Sequence, residues 1–211
     1  MRKWIRSTLY LSITTFVCVA FAGVYEDFFV AVKRDDGRAV SALLERGFDP
    51  NTRDPQRDVA LILALKGEAL AVAEALMSQP QTQVDLVNAF GESALMMAAL
   101  RGQLAWCQRL LERGAPVNQA GWSPLHYAAT GSEPAIVQLL LDRGAIVDAD
   151  SPNRSTPLMM AARYGKEESI RLLLARGADP KRSNDVGMTA ADFASSGGRE
   201  ALARELSKRS R

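Results

Sequence analysis

Residue types that could carry chemistry are scarce in this sequence. Its 211 residues include one histidine, His126, and two cysteines, Cys18 and Cys107. A single histidine cannot supply a multi-histidine metal site, and two cysteines are too few for a zinc knuckle or a disulfide scaffold. His126 could act as a general base or a ligand, but no nucleophile–base–acid pattern surrounds it. These residues therefore indicate no catalytic centre.

Two methionine pairs offer a second possible chemistry. Met96-Met97 and Met159-Met160 carry thioethers, which are soft ligands that select Cu(I). The pairs occupy matching positions in two similar helical segments, where side chains face the interior. We therefore predict that these methionines pack in a core and bind no metal.

The acidic pairs and one glycine-rich stretch also do not form a catalytic or phosphate-binding site. Asp35-Asp36, Glu167-Glu168 and the Asp148/Asp150 pair lie at expected turns or helix starts, where carboxylates suit the positive helix end or solvent. The stretch at 195–198 lacks the lysine and the spacing of a phosphate loop and is interpreted as a turn between helices. The sequence predicts a protein that is not an enzyme and that carries no cofactor.

The first 22 residues have the three parts of a secretory signal peptide. A basic start is followed by an apolar run over 9–22, which ends in small residues. The run is shorter than the roughly 20 residues that span a bilayer, although an uncleaved anchor is the alternative. Cleavage is predicted between Ala22 and Gly23, with a weaker site before Phe21. Cys18 follows a valine, which does not suit lipidation.

Removal of this segment changes the charge of the chain. The formal net charge is +2, from 26 basic and 24 acidic residues. The segment holds three basic residues and no acidic ones, so 23 basic and 24 acidic residues remain, a net charge of −1. No large electrostatic attraction for nucleic acid is then expected.

Three segments in the rest of the chain share one pattern. They read SALMMAA from Ser93, SPLHYAA from Ser123 and TPLMMAA from Thr156. Each contains an anchor leucine, and a glycine preceded by two leucines stands nineteen residues after it. The anchors are Leu95, Leu125 and Leu158, and the glycines are Gly114, Gly144 and Gly177. Self-similarity with this period is typical of repeat architectures.

The pattern resembles the ankyrin repeat, whose signature is T-P-L-H-x-A-A followed by V-x-x-L-L-x-x-G-A. The resemblance covers nearly all of residues 23–211 and implies an all-α solenoid of stacked helix–turn–helix units with short β-hairpin-like finger loops. Weaker units can be placed at the anchors Phe28, Leu61 and Ala191, which makes about six repeats. The first and last are degenerate, as expected of repeats that cap a core.

The resemblance also assigns roles to the two reactive residues of this region. The matching histidine of ankyrin repeats is structural, so His126 is expected to hydrogen-bond locally and toward a neighbouring loop. Cys107 takes a place occupied by Val40, Val137 and Ile170 in other repeats, where a buried cysteine serves as a small apolar residue. An exposed thiol that could join two chains is the alternative.

Ankyrin domains usually bind partners through their finger tips and the ends of the first helices. The resemblance places a set of apolar, aromatic and arginine side chains at these positions, which are types that interface centres favour. The candidate partner-binding residues are Phe90, Leu100, Arg101, Trp122, Arg163, Tyr164, Val186 and Met188. Packing of Phe90 and Trp122 against neighbouring fingers is the alternative.

One finger is shorter than the others. Ten residues separate Gly114 from Pro124, whereas thirteen separate Gly144 from Pro157. The loop ending at Trp122 cannot form a full hairpin, so a notch is expected in the row of fingers, with Trp122 near its base. This notch could be a partner pocket or a neutral deletion.

The expected function is therefore a non-catalytic protein-binding module, active as a monomer in the bacterial periplasm or, second, after secretion. It is expected to bind no nucleic acid and to have no stable membrane insertion once its leader is cleaved. The alternative is a dedicated inhibitor, immunity protein or protective partner of one periplasmic enzyme.

Overall fold

The computed structural model describes residues 23–209, so the predicted signal peptide at 1–22 lies outside the described residues. Short α-helices dominate this range, and the chain divides into two compact units, one up to Thr82 and one from Gln83 onward. None of the helices in 23–209 has the length and apolar character needed to cross a bilayer.

The described part of unit 1, residues 23–82, contains four helices. Residues 23–33 are helical and form α1, followed by α2 at Gly37–Glu45, α3 at Ala60–Lys66 and α4 at Leu70–Met77. The predicted anchors Phe28 and Leu61 are buried in this unit. The expected register of the two N-terminal repeats is therefore confirmed at its central residues.

Residues 83–209 of unit 2 form eight helices in four consecutive pairs. The pairs are α5 (Ala94–Leu100) with α6 (Leu104–Glu112), α7 (Pro124–Thr130) with α8 (Pro134–Asp142), α9 (Pro157–Tyr164) with α10 (Glu167–Ala175), and α11 (Ala190–Ser196) with α12 (Glu200–Arg209). The first helices pack in the order α5, α7, α9, α11, and the second helices α6, α8 and α10 also touch in that order. The all-α repeat fold predicted from the sequence is confirmed.

The second helices α6, α8 and α10 end at the glycines of the pattern, and their buried faces differ in part from the expected ones. Gly114, Gly144 and Gly177 all have φ near +90°, the left-handed conformation that glycine adopts at little cost. The leucines sixteen residues after the anchors are expected on the buried face, and Leu141 is buried there, whereas Leu111 and Leu174 are only half-buried. The residues eleven after the anchors, which are Trp106, Ile136 and Ser169, are also buried. Positions four residues apart share a helical face, which joins these residues to the buried leucines fifteen after the anchors.

The first helices of unit 2 pack closely because their facing residues are small. Ala98, Ala128 and Ala161 are buried between them. A Cβ added to Gly131, just after α7, would meet the carbonyl oxygen of Ala99 at 2.9 Å. The glycine-rich stretch at 195–198 joins α11 to α12, as the sequence predicts.

Candidate functional site

In each first helix of unit 2, one side chain near the start accepts a hydrogen bond from the backbone N–H of the residue just before the helix. The acceptor is always the third helical residue, but its chemistry varies from repeat to repeat. The N–H of Ser123 donates to Nδ1 of His126 at 3.1 Å, and that of Thr189 donates to Oδ2 of Asp192 at 2.7 Å. In the other two helices the acceptors are the sulfurs of Met96 and Met159, each at 3.4 Å.

His126 therefore has the structural role that the resemblance implies. Its Nδ1 is an acceptor, so Nε2 carries the proton and donates to the carbonyl oxygen of Ser155 at 2.9 Å, in the loop before the next repeat. The ring is buried, and Met96 and Met159 are buried in the same position. These sulfurs serve the helix start and the core.

Cys107 lies in the core of unit 2 as a free thiol. It is fully buried, and burial raises the pKa of the thiol to about 12. A thiol of this kind reacts slowly because the thiolate is the nucleophile. The structural interpretation of Cys107 is confirmed, and the alternative of an exposed thiol is wrong.

Stability should depend on pH through His126. Burial lowers the pKa of this imidazole, opposed by its hydrogen bond to Ser155. The unfolded chain takes up a proton near pH 6.5, about the usual value, whereas the folded chain resists protonation until a lower pH. The unfolded state binds more protons in that window, so the free energy of unfolding should fall as pH drops below about 6.5, by at most about 1.4 kcal/mol per pH unit.

The His126→Met variant tests this dependence, because methionine already fills the same position at Met96 and Met159. Urea denaturation at pH 7.5 and 5.5 should show a loss of stability in the native chain and a smaller loss in the variant. His126 is the only histidine of the sequence, which makes the comparison clean. Equal losses in the two proteins would contradict the assignment.

The fingers of unit 2 present apolar residues at their tips. In the finger before α5, Oδ1 of Asn88 accepts the N–H groups of Phe90 and Glu92, and in the finger before α11 Asn184 does the same for Val186 and Met188. An antiparallel bridge closes each of these two loops. Phe90 is 81% exposed and Val186 77% exposed, so the local-core alternative for Phe90 is wrong.

The short finger is held by side-chain hydrogen bonds to its neighbours. Like the finger before α9, the loop at 116–122 has no antiparallel bridge between its two sides within 23–209. Its side chains bind the loops on either side, since Nε2 of Gln119 donates to the carbonyl oxygen of Gly91 at 2.8 Å and Nδ2 of Asn118 donates to that of Gly144 at 2.9 Å. These hydrogen bonds hold the short finger between the two neighbouring loops.

A pocket of about 270 Å³ opens at the short finger, with Trp122 in its wall. The indole is half-buried and meets the ring of His126 edge to face, with the centroids 5.2 Å apart. The lining residues are Leu100, Trp122, His126, Tyr127, Thr130 and Met160. We call this the short-finger pocket.

Only two of the eight candidate residues, Leu100 and Trp122, line this pocket. Arg101 follows Leu100 at the end of α5, and Arg163 and Tyr164 end α9 on the surface, with the guanidinium of Arg163 5.1 Å from the Tyr164 ring. Phe90 and Val186 stand at finger tips, and Met188 is half-buried at the base of its finger. The pocket brings Leu100 and Trp122 together, and the other six candidate residues lie at the fingers and helix ends.

Four pocket residues are missing from the candidate set, namely His126, Tyr127, Thr130 and Met160. Tyr127 and Met160 lie two residues after an anchor leucine, a position that the helical pattern assigned to the interior and that is buried at Met97. At Tyr127 and Met160 this position is only half-buried. The sequence signal that could have identified these side chains is the short finger, which is three residues shorter than the others.

The acidic pairs hold helix starts and loops together. Asp36 accepts the N–H of Ala39 at the start of α2, and Glu167 and Glu168 lie in the first turn of α10. Asp150 pairs with Arg182 at 2.6 Å. Among residues 23–209 no cluster of three or more histidine, cysteine and acidic side chains could hold a metal ion.

Comparisons with known proteins agree with this architecture. The family model for ankyrin repeats in three copies matches residues 28–119, 61–151 and 133–210. The rat Ankyrin repeat and SAM domain-containing protein 6 is 36% identical over 144 residues, which cover 68% of this chain and 13% of the relative. The human Transient receptor potential cation channel subfamily A member 1 is 28% identical over 159 residues, which cover 70% of this chain and 14% of the relative. This chain thus corresponds to a small part of either protein.

A solved structure matches over most of its length. The matched chain belongs to the structure of the Bd0816 predatory endopeptidase from Bdellovibrio bacteriovorus in complex with immunity protein Bd3460, and the match has a TM-score of 0.73 and 26% sequence identity. The match covers 86% of this chain and 97% of that one. With the family model matching from residue 28 to residue 210, the chain belongs to the ankyrin-repeat family.

Proposed function

We propose that this chain is a non-catalytic binding module of the bacterial periplasm, which binds a protein partner through the short-finger pocket and the eight candidate residues around it. The observation that carries the proposal is the set of large apolar side chains left exposed on unit 2. Phe90 and Val186 are largely exposed, and Tyr164 is 55% exposed. Exposed apolar groups beside a pocket commonly mark an interaction surface.

A second function is favoured by the structural match. A chain with this fold occurs in a complex of an endopeptidase with an immunity protein. By analogy, this chain would inhibit or protect a single periplasmic enzyme. The fold alone does not choose between this role and that of a general scaffold.

Loss of the aromatic groups on this surface should weaken partner binding. The Trp122→Ala, Tyr164→Ala double variant is expected to lose at least about 2 kcal/mol of binding free energy, the usual threshold of a hot spot. The fold should persist, because Tyr164 is exposed and Trp122 is only half-buried, and circular dichroism of the double variant checks this. The partner is first captured from a periplasmic extract with the native chain, and its affinity is then measured by calorimetry.

Leu70→Ala is the matched control for this experiment. Leu70 is a similarly exposed apolar residue, at the start of α4 in unit 1. Its replacement should leave partner affinity unchanged. Equal affinities of the native chain and the double variant would contradict the proposed surface.

The stoichiometry and effect of the complex separate the two functions. An inhibitor or protective partner should form a tight one-to-one complex with one enzyme and change its rate. A scaffold should capture several proteins and leave their activities unchanged.

Export is tested at the N-terminus. If residues 1–22 are a signal peptide, the protein recovered from the periplasm should begin at Gly23, or to a lesser extent at Phe21. Edman sequencing of that protein checks the position. Recovery of a chain that keeps Met1 in the membrane fraction would contradict cleavage, and recovery from the cytoplasm would contradict export.

A further inference from the structure

One methionine lines the short-finger pocket, whereas two closely matched methionines are covered by the core. Met160 is half-buried in the wall of the pocket. Met97 has the same place two residues after an anchor leucine, and Met159 is the adjacent residue, yet both are fully buried. The sulfur of Met159 also accepts the backbone N–H of Thr156 at 3.4 Å. Met160 is therefore the member of this set that solvent can reach.

The pocket admits a small oxidant to the thioether of Met160. Its volume of about 270 Å³ is much larger than the roughly 30 Å³ that one water molecule occupies, and hydrogen peroxide is little larger than water. Peroxide transfers one oxygen atom to the sulfur: the S–O bond forms as the O–O bond breaks, the sulfur is oxidised by two electrons, and the rest of the peroxide leaves as water. The product, methionine sulfoxide, is polar, and sulfoxide reductases convert it back to methionine.

The wall of the pocket has little to offer a sulfoxide oxygen, which needs a hydrogen-bond donor. Three of the four side-chain donors in the wall are already bonded within the chain, at 2.9–3.0 Å: the Nε2–H of His126 to Ser155, the Thr130 hydroxyl to His126 and the Tyr127 hydroxyl to Glu92. The fourth is the indole N–H of Trp122, one of the candidate partner-binding residues. A sulfoxide at Met160 must therefore keep a bound water or engage this indole, and either outcome changes the surface that a partner contacts.

From these observations we propose that Met160 is a site of reversible oxidation by peroxide, and that its sulfoxide weakens partner binding at the short-finger pocket. The position of the modification follows from the pocket and from the burial of the matched methionines. Its effect on the partner rests on the proposed function. A partner that covers the pocket would have to remove water from the sulfoxide oxygen, and the thioether carries no such cost.

Peroxide treatment of the purified native chain tests the site. The oxidation of each methionine is followed in time by tandem mass spectrometry of its peptides. Met160 should be oxidised several-fold faster than Met97 and Met159, because a buried sulfur reacts only when the structure around it opens. Met188, the other half-buried methionine within 23–209, is measured in a separate peptide. Equal rates at Met160 and Met97 would overturn the assignment of the site.

Calorimetry with the captured partner tests the effect on binding. Oxidation should lower the affinity of the native chain by about tenfold, the size expected when a polar group is covered without a full set of hydrogen bonds. Treatment with reductases for both sulfoxide epimers should restore the affinity. The control is Met160→Leu, which keeps an apolar side chain without sulfur, so its affinity should respond much less to the same peroxide treatment.

A measurement on the native complex keeps the test valid if Met160→Leu does not fold. A partner that covers the pocket should slow the oxidation of Met160 relative to the free chain. Equal rates in the free and bound chains, or an affinity that oxidation leaves unchanged, would overturn the effect on binding. If Met160 is oxidised selectively while the Trp122→Ala, Tyr164→Ala variant binds like the native chain, the proposed function fails and the oxidation site stands. If that variant binds weakly while Met160 and Met97 react equally fast, this inference fails and the proposed function stands.

Discussion

Replacement of Leu158 with alanine is expected to lower the free energy of unfolding by about 2–5 kcal/mol. Leu158 is fully buried in α9, which packs against α7, α10 and α11. Truncation removes buried methyl groups and leaves a cavity that the closely packed first helices cannot readily fill. Leu125 occupies the same position in the preceding repeat and should behave in the same way.

Urea denaturation followed by circular dichroism measures the loss, and hydrogen exchange should locate it. In a repeat protein each unit contacts mainly its neighbours, so protection should fall most in the helices next to α9. Ile146→Ala is the control, because Ile146 is 58% exposed and its truncation should cost less than about 0.5 kcal/mol. A denaturation midpoint unchanged by Leu158→Ala would show that the repeat register is wrong.

Gly165→Ala should destabilise the chain by about 3 kcal/mol, the upper part of the range for overpacking. Gly165 ends α9 with φ −83° and ψ −179°, a conformation that alanine adopts without strain. The cost is therefore steric. An added Cβ would collide with the carbonyl oxygen of Ala129 in α7 and would lie 2.9 Å from Cα of Ala161. Since both neighbours are backbone atoms, the helices themselves would have to move apart.

Gly144→Ala separates this packing cost from backbone strain. Gly144 has φ +84° and open space around its Cα, so alanine there meets no atom and incurs only the left-handed strain of about 1–2 kcal/mol. Thermal unfolding of the two variants should rank Gly165→Ala as the less stable. The reverse order would mean that α7 and α9 are not in close contact at this point.

The sequence by itself determined the repeat, the register and the helix ends of this protein. Three features act within one repeat, so their roles can be deduced from local spacing. They are the anchors, the hydroxyl residues before the first helices and the glycines after the second helices. The roles of His126 and Cys107 were implied by the resemblance of this pattern to the ankyrin repeat. The short finger was also visible, because a three-residue deletion changes the period.

Only the tertiary structure decided what the short finger exposes. The short-finger pocket joins Leu100, Trp122 and Met160 from three successive repeats, and its depth depends on how closely α5, α7 and α9 pack. Tyr127 and Met160 lie at a position that is buried at Met97, and sequence spacing cannot show that the cover is absent above them. The exposure of a side chain depends on atoms supplied by distant parts of the chain, and a local pattern does not contain that information.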